Sequence, residues 1–448
     1  DHTESGEDGS DGDGLKVQEG AAVTLRSARL AANHDSGALV LGGSLSAQQL
    51  LVDGTQPNTA TGAGGHGVSA QQSGQVVLQG ARIHANRTTG VNAVGVGTEL
   101  TATDLLVDAT LPRQMDLAGG IGLKVADGAT ALVKRARLSG NRTAGVHIDG
   151  AATSVEATEV TADGTAEAPS GQGLASGIVV LRGAQLRLRW ARMSANHTVG
   201  FLASLEGTSA RAELVIIDGT LPAQDDGRFG QGAMAGGGAT LMLQGVQLIG
   251  SRYAGILAGG ADAVATLLGA VVSGTLPAQN DHVAGVGAWA IDGARVVLMA
   301  SRLERSYVAA AMASHATLIA RHSVMQTAAW GNYAELNEDG RYLPSMVATV
   351  ADGVLLSAAA GSLIERCLVS GNARAGILID ASTDVQVRHS LIDGGQHSLY
   401  GLVVQDSNDV VNAENAIFAA TIQNVAADLG LAVPTPPSVA ELPKPPEP

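Results

Sequence analysis

The sequence has little of what usually stabilises or anchors a protein of 448 residues. It contains one cysteine, Cys367, so no disulfide can form within the chain, and we predict a packing role for this residue. Aromatic residues make up 2 %, which indicates a core of small aliphatic side chains. No apolar run reaches the roughly 18 residues that a membrane span requires. The 27 basic residues face 42 acidic ones, and a net charge of −15 argues against a nucleic-acid partner.

Motifs of the common catalytic and metal centres are missing as well. The 11 histidines are scattered, and no H-E-x-x-H, G-x-S-x-G, P-loop or S-x-x-K motif occurs. We therefore predict no cofactor and no metal. The one alternative is calcium at Asp8, Asp11 and Asp13 in the acidic N-terminal segment, although their spacing does not complete a calcium-binding loop.

What the sequence does contain is a long internal repeat. Asn86, Asn141 and Asn196 recur at one fixed interval, and Ser251 continues the series. The interval is about 55 residues, and fixed periods of this kind indicate stacked supersecondary units. A second series, which includes Asp108, has the same period. Each of its members follows one member of the first series after a shorter interval than the one that separates it from the next. Two interleaved series with unequal intervals predict two coils in each unit, one of them extended by an inserted loop.

The local pattern inside a unit is that of short β-strands. In the unit that begins at Gly128, Ala131 and Val133 belong to a partial alternation, which continues after a bend with Ala136 and Leu138. Period two predicts strands, and no stretch shows the sustained 3.6-residue period of a helix. We predict an all-β, single-stranded parallel solenoid of about 15 coils.

The runs at 136–148, 191–203 and 366–379 resemble right-handed parallel β-helix repeats of the pectin-lyase-like superfamily, and the resemblance covers roughly residues 20–425. It implies a right-handed parallel β-helix but no particular activity, since that superfamily includes lyases, hydrolases, adhesins and stalks. We predict an acidic disordered linker at 1–14, the β-helix at 15–432 and a Pro-rich linker at 433–448. Both ends suggest a segment of a larger exported protein.

The two periodic series are interpreted as one structural ladder at a turn of the coil, in which each amide bonds the same group one coil away. The predicted ladder residues are Asn33, Asp53, Asn86, Asp108, Asn141, Asp163, Asn196, Asp218, Asn372 and Asp393. A charged series four residues earlier is expected to form a line on the exterior. Its members are Arg82, Asp104, Arg137, Glu159 and Arg192. A basic stripe for an anionic polymer is the alternative, and the interposed acids argue against it.

The inserted loops are the part of each unit that contains no predicted ladder residue, so we expect any ligand contacts there. The sixth unit is irregular and concentrates aromatic and acidic residues, a combination that suits sugar binding. The candidate binding residues are Trp330, Tyr333, Glu335, Glu338, Asp339 and Tyr342 in that unit, with Asp225, Asp226, Phe229, Asp281 and His282 in the two loops before it. The alternative is that the aromatic residues pack the long loop onto the solenoid.

For function, the sequence favours a non-catalytic module that binds a glycan or a partner protein, or acts as a stalk. We expect it to be secreted or displayed on a cell surface, most naturally a bacterial envelope. The alternative is a polysaccharide hydrolase or lyase that acts through carboxylates in the edge loops. The pieces G-H-G at 65–67 and Q-D-D-G at 224–227 resemble hydrolase motifs, but they occur in reversed order and three units apart.

Overall fold

The computed structural model describes residues 12–168, 175–279, 284–326, 331–336, 342–393, 400–418 and 422–426, together with Thr3 and Leu431. Every regular element in these residues is a β-strand. All strands except one antiparallel pair divide between two parallel sheets, named here sheet A and sheet B. The chain forms two compact units, of which the first ends at Val215 and the second begins at Ile216. From here on, the first unit and the second unit mean these two parts of the chain, each of which contains several sequence repeats.

In the first unit, sheet A contributes one strand to each coil. Its strands are Leu15–Gln18, Ser36–Leu41, His66–Gln71, Thr89–Val94, Ile121–Ala126, Ala144–Asp149, Ser176–Leu181 and Val199–Ser204. Sheet B contributes either two short strands or one long bent strand. These are Ala22–Arg26, Arg29–Ala31, Ser44–Gln48, Leu51–Asp53, Gln75–Gln79, Arg82–His84, Glu99–Asp108, Thr130–Ser139, Ser154–Asp163 and Gln185–Ser194, followed by Ser209–Asp218, within which the first unit ends.

The second unit repeats this arrangement. Its sheet A strands are Gln231–Gly236, Ala254–Gly259, Val286–Ile291, Ala309–Ser314, Asp352–Ser357, Ala375–Asp380, Tyr400–Gln405 and Ile422–Ala426. Its sheet B strands are Thr240–Gln244, Gln247–Ile249, Val264–Leu268, Val271–Ser273, Arg295–Met299, Arg302–Glu304, Thr317–Arg321, Val324–Gln326, Leu363–Glu365, Leu368–Ser370, Thr383–Arg388, Leu391–Asp393, Asn408–Ala413 and Ala416–Phe418. An antiparallel hairpin, Gly331–Leu336 with Tyr342–Val350, interrupts the regular coils.

The register shows how the repeat builds a core. Val91, Leu123, Val146 and Ile178 are paired from coil to coil in sheet A, and all four are buried. No single strand of this length buries enough apolar surface alone, so each coil depends on its neighbours. The predicted all-β parallel solenoid is therefore confirmed, and eight sheet A strands in each unit agree with the expected number of coils.

A polar ladder does run through the turn between sheet B and sheet A, but its composition differs from the prediction. Asn86 and Asn141 are fully buried, and each bonds the backbone of the preceding coil. Asn141 Oδ1 accepts a hydrogen bond from the Thr110 amide at 3.1 Å, and Asn141 Nδ2 donates to the Val107 carbonyl at 3.5 Å. Asn196 makes the same two bonds to Thr165 and Ala162. The partners are thus backbone groups rather than stacked side-chain amides.

The aspartates of the predicted ladder are not members of it. Asp108 pairs with His84 and Ser139, two residues before the buried Asn86 and Asn141. The same offset holds for every predicted aspartate: Asp53, Asp108, Asp163, Asp218 and Asp393. Threonines take the intervening ladder positions, and they are buried: Thr55, Thr110, Thr165, Thr220 and Thr275. Burying a carboxylate without a counter-ion is costly, whereas a small hydroxyl fits beside the asparagine.

The displaced aspartates form ion pairs on the exterior instead. The pairs are Arg29 with Asp53 at 3.4 Å, Arg82 with Asp108 at 3.2 Å and Arg137 with Asp163 at 2.9 Å. Exposed pairs of this kind contribute at most about 1 kcal/mol each. One coil therefore runs from Asn86 to Thr110, and the longer coil with the inserted loop runs from Thr110 to Asn141.

The predicted line of alternating charges is wrong for the same reason. Arg82 and Arg137 are aligned with Leu106, which lies between them in the stack. Asp104 and Glu159 lie two residues earlier, at the bend of sheet B, where both have positive φ angles of 55° and 58°. A slip of two residues in the coil length thus accounts for both corrections.

One ion pair in the second unit is buried. Asp352 begins a sheet A strand, and Arg374 lies one coil further on. Arg374 Nε donates to Asp352 Oδ1 at 3.0 Å, its Nη2 donates to the other carboxylate oxygen, and the Ala375 amide also donates to Oδ1 at 3.1 Å. Asp352 is fully buried and Arg374 nearly so, which makes this pair a structural element of the coil.

Candidate functional site

The inserted loops occupy the predicted place in each unit, immediately before a sheet A strand. The described loops of the first unit include 54–65 and 109–120, each closed by an antiparallel bridge, Pro57 to Gly64 and Pro112 to Gly119. Within the second loop, Arg113 Nη2 lies 2.6 Å from Asp116 Oδ2. These short bridges explain how so long a loop keeps a defined form.

The predicted binding residues of the sixth unit and of the loop before it lie largely in other parts of the chain than those described. Trp330, Glu338, Asp339, Asp281 and His282 lie outside the described residues. Tyr333 and Glu335 belong to the strand Gly331–Leu336, and Tyr342 begins the strand that pairs with it. A ligand-binding role for these eight residues stays a prediction.

The remaining predicted residues, Asp225, Asp226 and Phe229, lie in the loop 219–230 of the second unit. Both aspartates are exposed, and Asp226 Oδ1 accepts a hydrogen bond from the Arg228 amide at 2.9 Å. The Phe229 ring packs edge-on against Tyr253 at 6.5 Å, and Tyr253 lies 5.7 Å from Trp289. The geometry of Phe229 thus matches the packing alternative, in which an aromatic residue holds its loop on the solenoid.

A different set of residues stands out on the outer face of sheet A in the first unit. One outward position carries polar residues in four successive coils: Ser69, Asn92, Lys124 and His147. We call this set the polar column. The same position is Leu39 before it, and Val179 and Leu202 after it. Four polar side chains that interrupt an apolar row span about 14 Å along the stack.

Hydrogen bonds satisfy one end of the polar column. Asn92 Nδ2 donates to Ser69 Oγ at 3.1 Å, and Gln71 Nε2 reaches the same oxygen at 3.1 Å. Ser69 and Asn92 are buried, whereas Lys124 is half-buried. No residue in the described part of the chain forms an ion pair with Lys124. This lysine is therefore a cation without a described counter-ion in the middle of the column.

The other end holds an incompletely bonded histidine and carboxylate. His147 Nε2 lies 3.7 Å from Asp149 Oδ2, and Arg182 donates to that same carboxylate oxygen. His147 Nδ1 and Asp149 Oδ1 are both buried and have no hydrogen-bond partner among the residues that the structure describes. Because Nε2 faces the carboxylate, Nε2 carries the proton and Nδ1 is an acceptor. Two buried acceptors thus lack a donor at this end of the column.

The surroundings keep His147, and His66 beside the column, uncharged. Burial lowers the pKa of His147, and the charges of Lys124 and Arg182 lower it further, against the opposing effect of Asp149. Burial alone would raise the pKa of the Asp149 carboxyl, but its contacts with His147 and Arg182 bring it below its ordinary value. The site therefore combines neutral imidazoles, one ionised carboxylate and an excess of cations.

His66 adds a second neutral imidazole beside the column. Burial, Lys124 and Arg113 together lower its pKa from 6.5 to about 4, and its Nδ1 is buried without a described partner. The charges of Lys124 and Arg113 both act on His66, although Arg113 comes from the loop 109–120 and is paired there with Asp116.

Comparison with known proteins supports the handedness of the coils. The sequence profile described as the right-handed β-helix region matches residues 280–427. Together with the parallel register of both sheets, this decides the fold. The chain is a right-handed parallel β-helix.

Solved structures similar to this β-helix share little sequence with it. The A-module of the Azotobacter vinelandii mannuronan C-5 epimerase AlgE6 is 12 % identical, with 94 % of this chain and 92 % of that chain covered and a TM-score of 0.33. A PL6 alginate lyase in complex with a trisaccharide is 10 % identical, with 92 % and 80 % covered and a TM-score of 0.26. The Streptococcus pneumoniae surface protein and adhesin PfbA is 10 % identical, with 81 % and 92 % covered and a TM-score of 0.27. No curated protein matches the sequence.

Other kinds of site find no support in the described residues. Within them, no group of three or more His, Cys, Asp or Glu side chains is placed to hold a metal ion, and no helix is long and apolar enough to cross a membrane. Asp8 and Asp11 of the suggested calcium site lie outside the described residues. Burial raises the pKa of the Cys367 thiol to about 11, so this cysteine is not a reactive thiolate at neutral pH.

The lowered pKa of His66 predicts a pH dependence of the stability of the β-helix. Between its unfolded value of 6.5 and its folded value of about 4, the unfolded chain binds a proton that the folded chain does not. The contribution of neutral His66 to the free energy of unfolding is therefore fully present above pH 6.5. It falls as the pH decreases towards about 4, by up to about 1.4 kcal/mol per pH unit. We expect the wild type to lose more stability than His66→Gln when urea unfolding is compared at about pH 7 and about pH 4.5. Parallel losses in the two proteins would contradict the assignment.

Sequence analysis missed the polar column, although a signal was present. The outward residue lies in the middle of each sheet A strand, and in isolation Lys124 or His147 is an ordinary polar residue in an apolar run. The signal appears only when that one position is compared through successive coils, where it changes from leucine to four polar residues and back to aliphatic ones.

Proposed function

We propose that the first unit binds an acidic saccharide along the polar column, and that the β-helix is a non-catalytic recognition module. The observation that carries the proposal is Lys124, a half-buried cation without a described counter-ion, paired in register with His147, whose Nδ1 is buried and unbonded among the described residues. A carboxylate on the ligand would pair with Lys124.

The unbonded atoms define the rest of the ligand. His147 Nδ1 and Asp149 Oδ1 are acceptors, so they require donors, and sugar hydroxyl groups supply donors close to a carboxylate. At the other end, Asn92 and Ser69 are buried and bond each other, so the proposed ligand contacts lie between Lys124 and Asp149. A ligand with one anion and several hydroxyls at intervals of about 5 Å fits this order of groups.

The test is calorimetric titration with hexamers of galacturonate and of mannuronate, with maltohexaose as the uncharged comparison. Lys124→Met keeps the length of the side chain and removes its charge, and we expect uronate binding to weaken by about tenfold or more. Lys16→Met is the matched control, because Lys16 occupies the same outward position and is separated from Ser69 by Leu39. If neither hexamer binds, or if Lys124→Met binds them like the wild type, the proposal is wrong.

A second proposal is a polysaccharide-degrading enzyme, and the orientation of His147 is the observation that favours it. Its Nε2 faces Asp149, so Nδ1 is free to accept a proton from a bound sugar, as a general base does. The second proposal shares the binding site with the first. Chromatography of each uronate hexamer after incubation with the protein separates them, since an enzyme changes the product pattern and a binding module leaves the hexamer intact.

Acidic polysaccharides occur mainly outside cells, in envelopes and matrices. We therefore also propose that the chain acts as a secreted or surface-displayed module. Detection of the protein in the medium or on intact cells by a specific antibody tests this location.

A further inference from the structure

A second surface of the first unit has the features of a ligand site and plays no part in the proposed function. It is a groove of about 350 Å³ on the outer face of sheet B, whereas the polar column belongs to sheet A. The polar and charged residues that line it are Glu156, Thr158, Arg187, Arg189, Arg211 and Glu213.

Two of the three arginines in the groove are neutralised within it. Arg187 Nη1 lies 3.4 Å from Glu156 Oε1, and Arg211 Nη2 lies 2.8 Å from Glu213 Oε1. The third, Arg189, forms no ion pair with any described residue. Its guanidinium carbon instead lies 4.3 Å from the centre of the Trp190 ring. The groove thus has one cation in excess, in a protein whose net charge is −15.

Trp190 occupies the bend of sheet B with a φ of 52°. The same bend in the preceding coils is Gly80, Asp104, Arg135 or Glu159, so Trp190 is the aromatic residue among them. The left-handed region disfavours a bulky residue, and nearly half of the Trp190 side chain is exposed. An exposed ring in a strained position contributes little to the core, which leaves ligand contact as a reason for its presence.

We propose that this groove binds an acidic saccharide, with Arg189 pairing its anionic group and the Trp190 ring packing against a sugar face. Stacking on the ring restricts the guanidinium but leaves its N–H groups available as donors to a carboxylate or a sulfate. The Glu156 and Glu213 carboxylates, each held by an arginine, accept hydrogen bonds from sugar hydroxyls. A carboxylated and a sulfated sugar share this chemistry, and the experiment distinguishes them.

The experiment follows quenching of tryptophan fluorescence during titration with hexagalacturonate, a heparin hexasaccharide and maltohexaose. We expect quenching by at least one acidic sugar, none by maltohexaose, and affinities weakened by about tenfold in Arg189→Gln. Trp190→Gly should abolish the quenching without loss of the fold, because Gly80 occupies the equivalent bend. Quenching by hexagalacturonate assigns the carboxylate as the recognised group, and quenching by heparin alone assigns the sulfate.

Two control variants separate this groove from other surfaces. Arg137→Gln removes a paired arginine from the part of sheet B that follows the bend, outside the groove, and Lys124→Met alters the polar column, so each should retain the quenching within about twofold. The proposal is overturned if no acidic sugar quenches, if Trp190→Gly retains the quenching, or if Lys124→Met abolishes it. The last result would place all saccharide binding on sheet A. If Lys124→Met instead fails to weaken the calorimetric binding of uronates, the proposed function is wrong and the groove proposal is unaffected.

Discussion

Asp352→Ala is expected to lower the free energy of unfolding by about 3–5 kcal/mol, because it leaves a buried guanidinium without its carboxylate. Asp352 is fully buried and accepts hydrogen bonds from Arg374 and from the Ala375 amide. The low local dielectric that makes this pair strong also makes the isolated cation costly. The effect should appear as a large shift of the urea midpoint of the second unit.

Two further variants show whether the cost comes from the unpaired charge. The double variant Asp352→Val with Arg374→Met has neither charge, and its apolar side chains can pack in the space of the ion pair. It should therefore recover most of the stability that Asp352→Ala loses. Asp53→Ala removes a carboxylate from an exposed pair with Arg29 and should cost less than about 1 kcal/mol. Equal losses in Asp352→Ala and Asp53→Ala would show that burial of the pair has no energetic consequence.

Gly145→Val is expected to destabilise the first unit by about 3 kcal/mol through overpacking. A Cβ atom at Gly145 would lie 2.6 Å from the Gly177 carbonyl oxygen and 3.1 Å from the Ala162 side chain. Both neighbours belong to the next coil or the opposite sheet, so neither yields without separation of the stack. In the second unit, Ala310 occupies the equivalent position, which shows that one methyl group can be accommodated and is the reason to test valine.

Gly80→Asp is the control for Gly145→Val. Nothing lies within 4 Å of a Cβ atom at Gly80, and the equivalent bend one coil later already carries Asp104 with a φ of 55°. We expect a change of no more than about 1 kcal/mol, since aspartate tolerates the left-handed region. Thermal and urea unfolding of both variants, followed by circular dichroism, make the comparison. Similar losses would contradict the conclusion that the close approach of the coils sets the cost at position 145.

The repeat made the fold predictable, because a fixed long period together with short alternating strands has few structural solutions. The coil boundary was not predictable from residue type alone. Asp108 resembles Asn86 chemically, yet Thr110 is the residue that lies opposite Asn86 in the next coil. A finer signal exists in the sequence: the aspartate series is broken by Ser273, whereas the threonine series continues unbroken to Thr275.

The candidate site was less accessible to sequence reasoning. Whether a residue of a sheet A strand faces outward depends on the bend before it, and the unpaired state of Lys124 depends on loops and neighbouring coils. His147 Nδ1 and Asp149 Oδ1 are recognisable as unbonded acceptors only when every possible donor has a position. The aromatic loop was selected because of its composition, and composition cannot tell packing from binding, as the contact of Phe229 with Tyr253 illustrates.

The alternation of asparagine and threonine coils between Asn33 and Thr220 limits how the gene for this part of the β-helix can change in length. A deletion of one coil would place two asparagine coils together, and two buried amide side chains would then compete for the space that an asparagine and a smaller threonine now share. A deletion or duplication of a whole two-coil unit restores every partner. Unequal recombination between repeats should therefore produce functional alleles only in whole-unit steps, so that the number of coils changes by two.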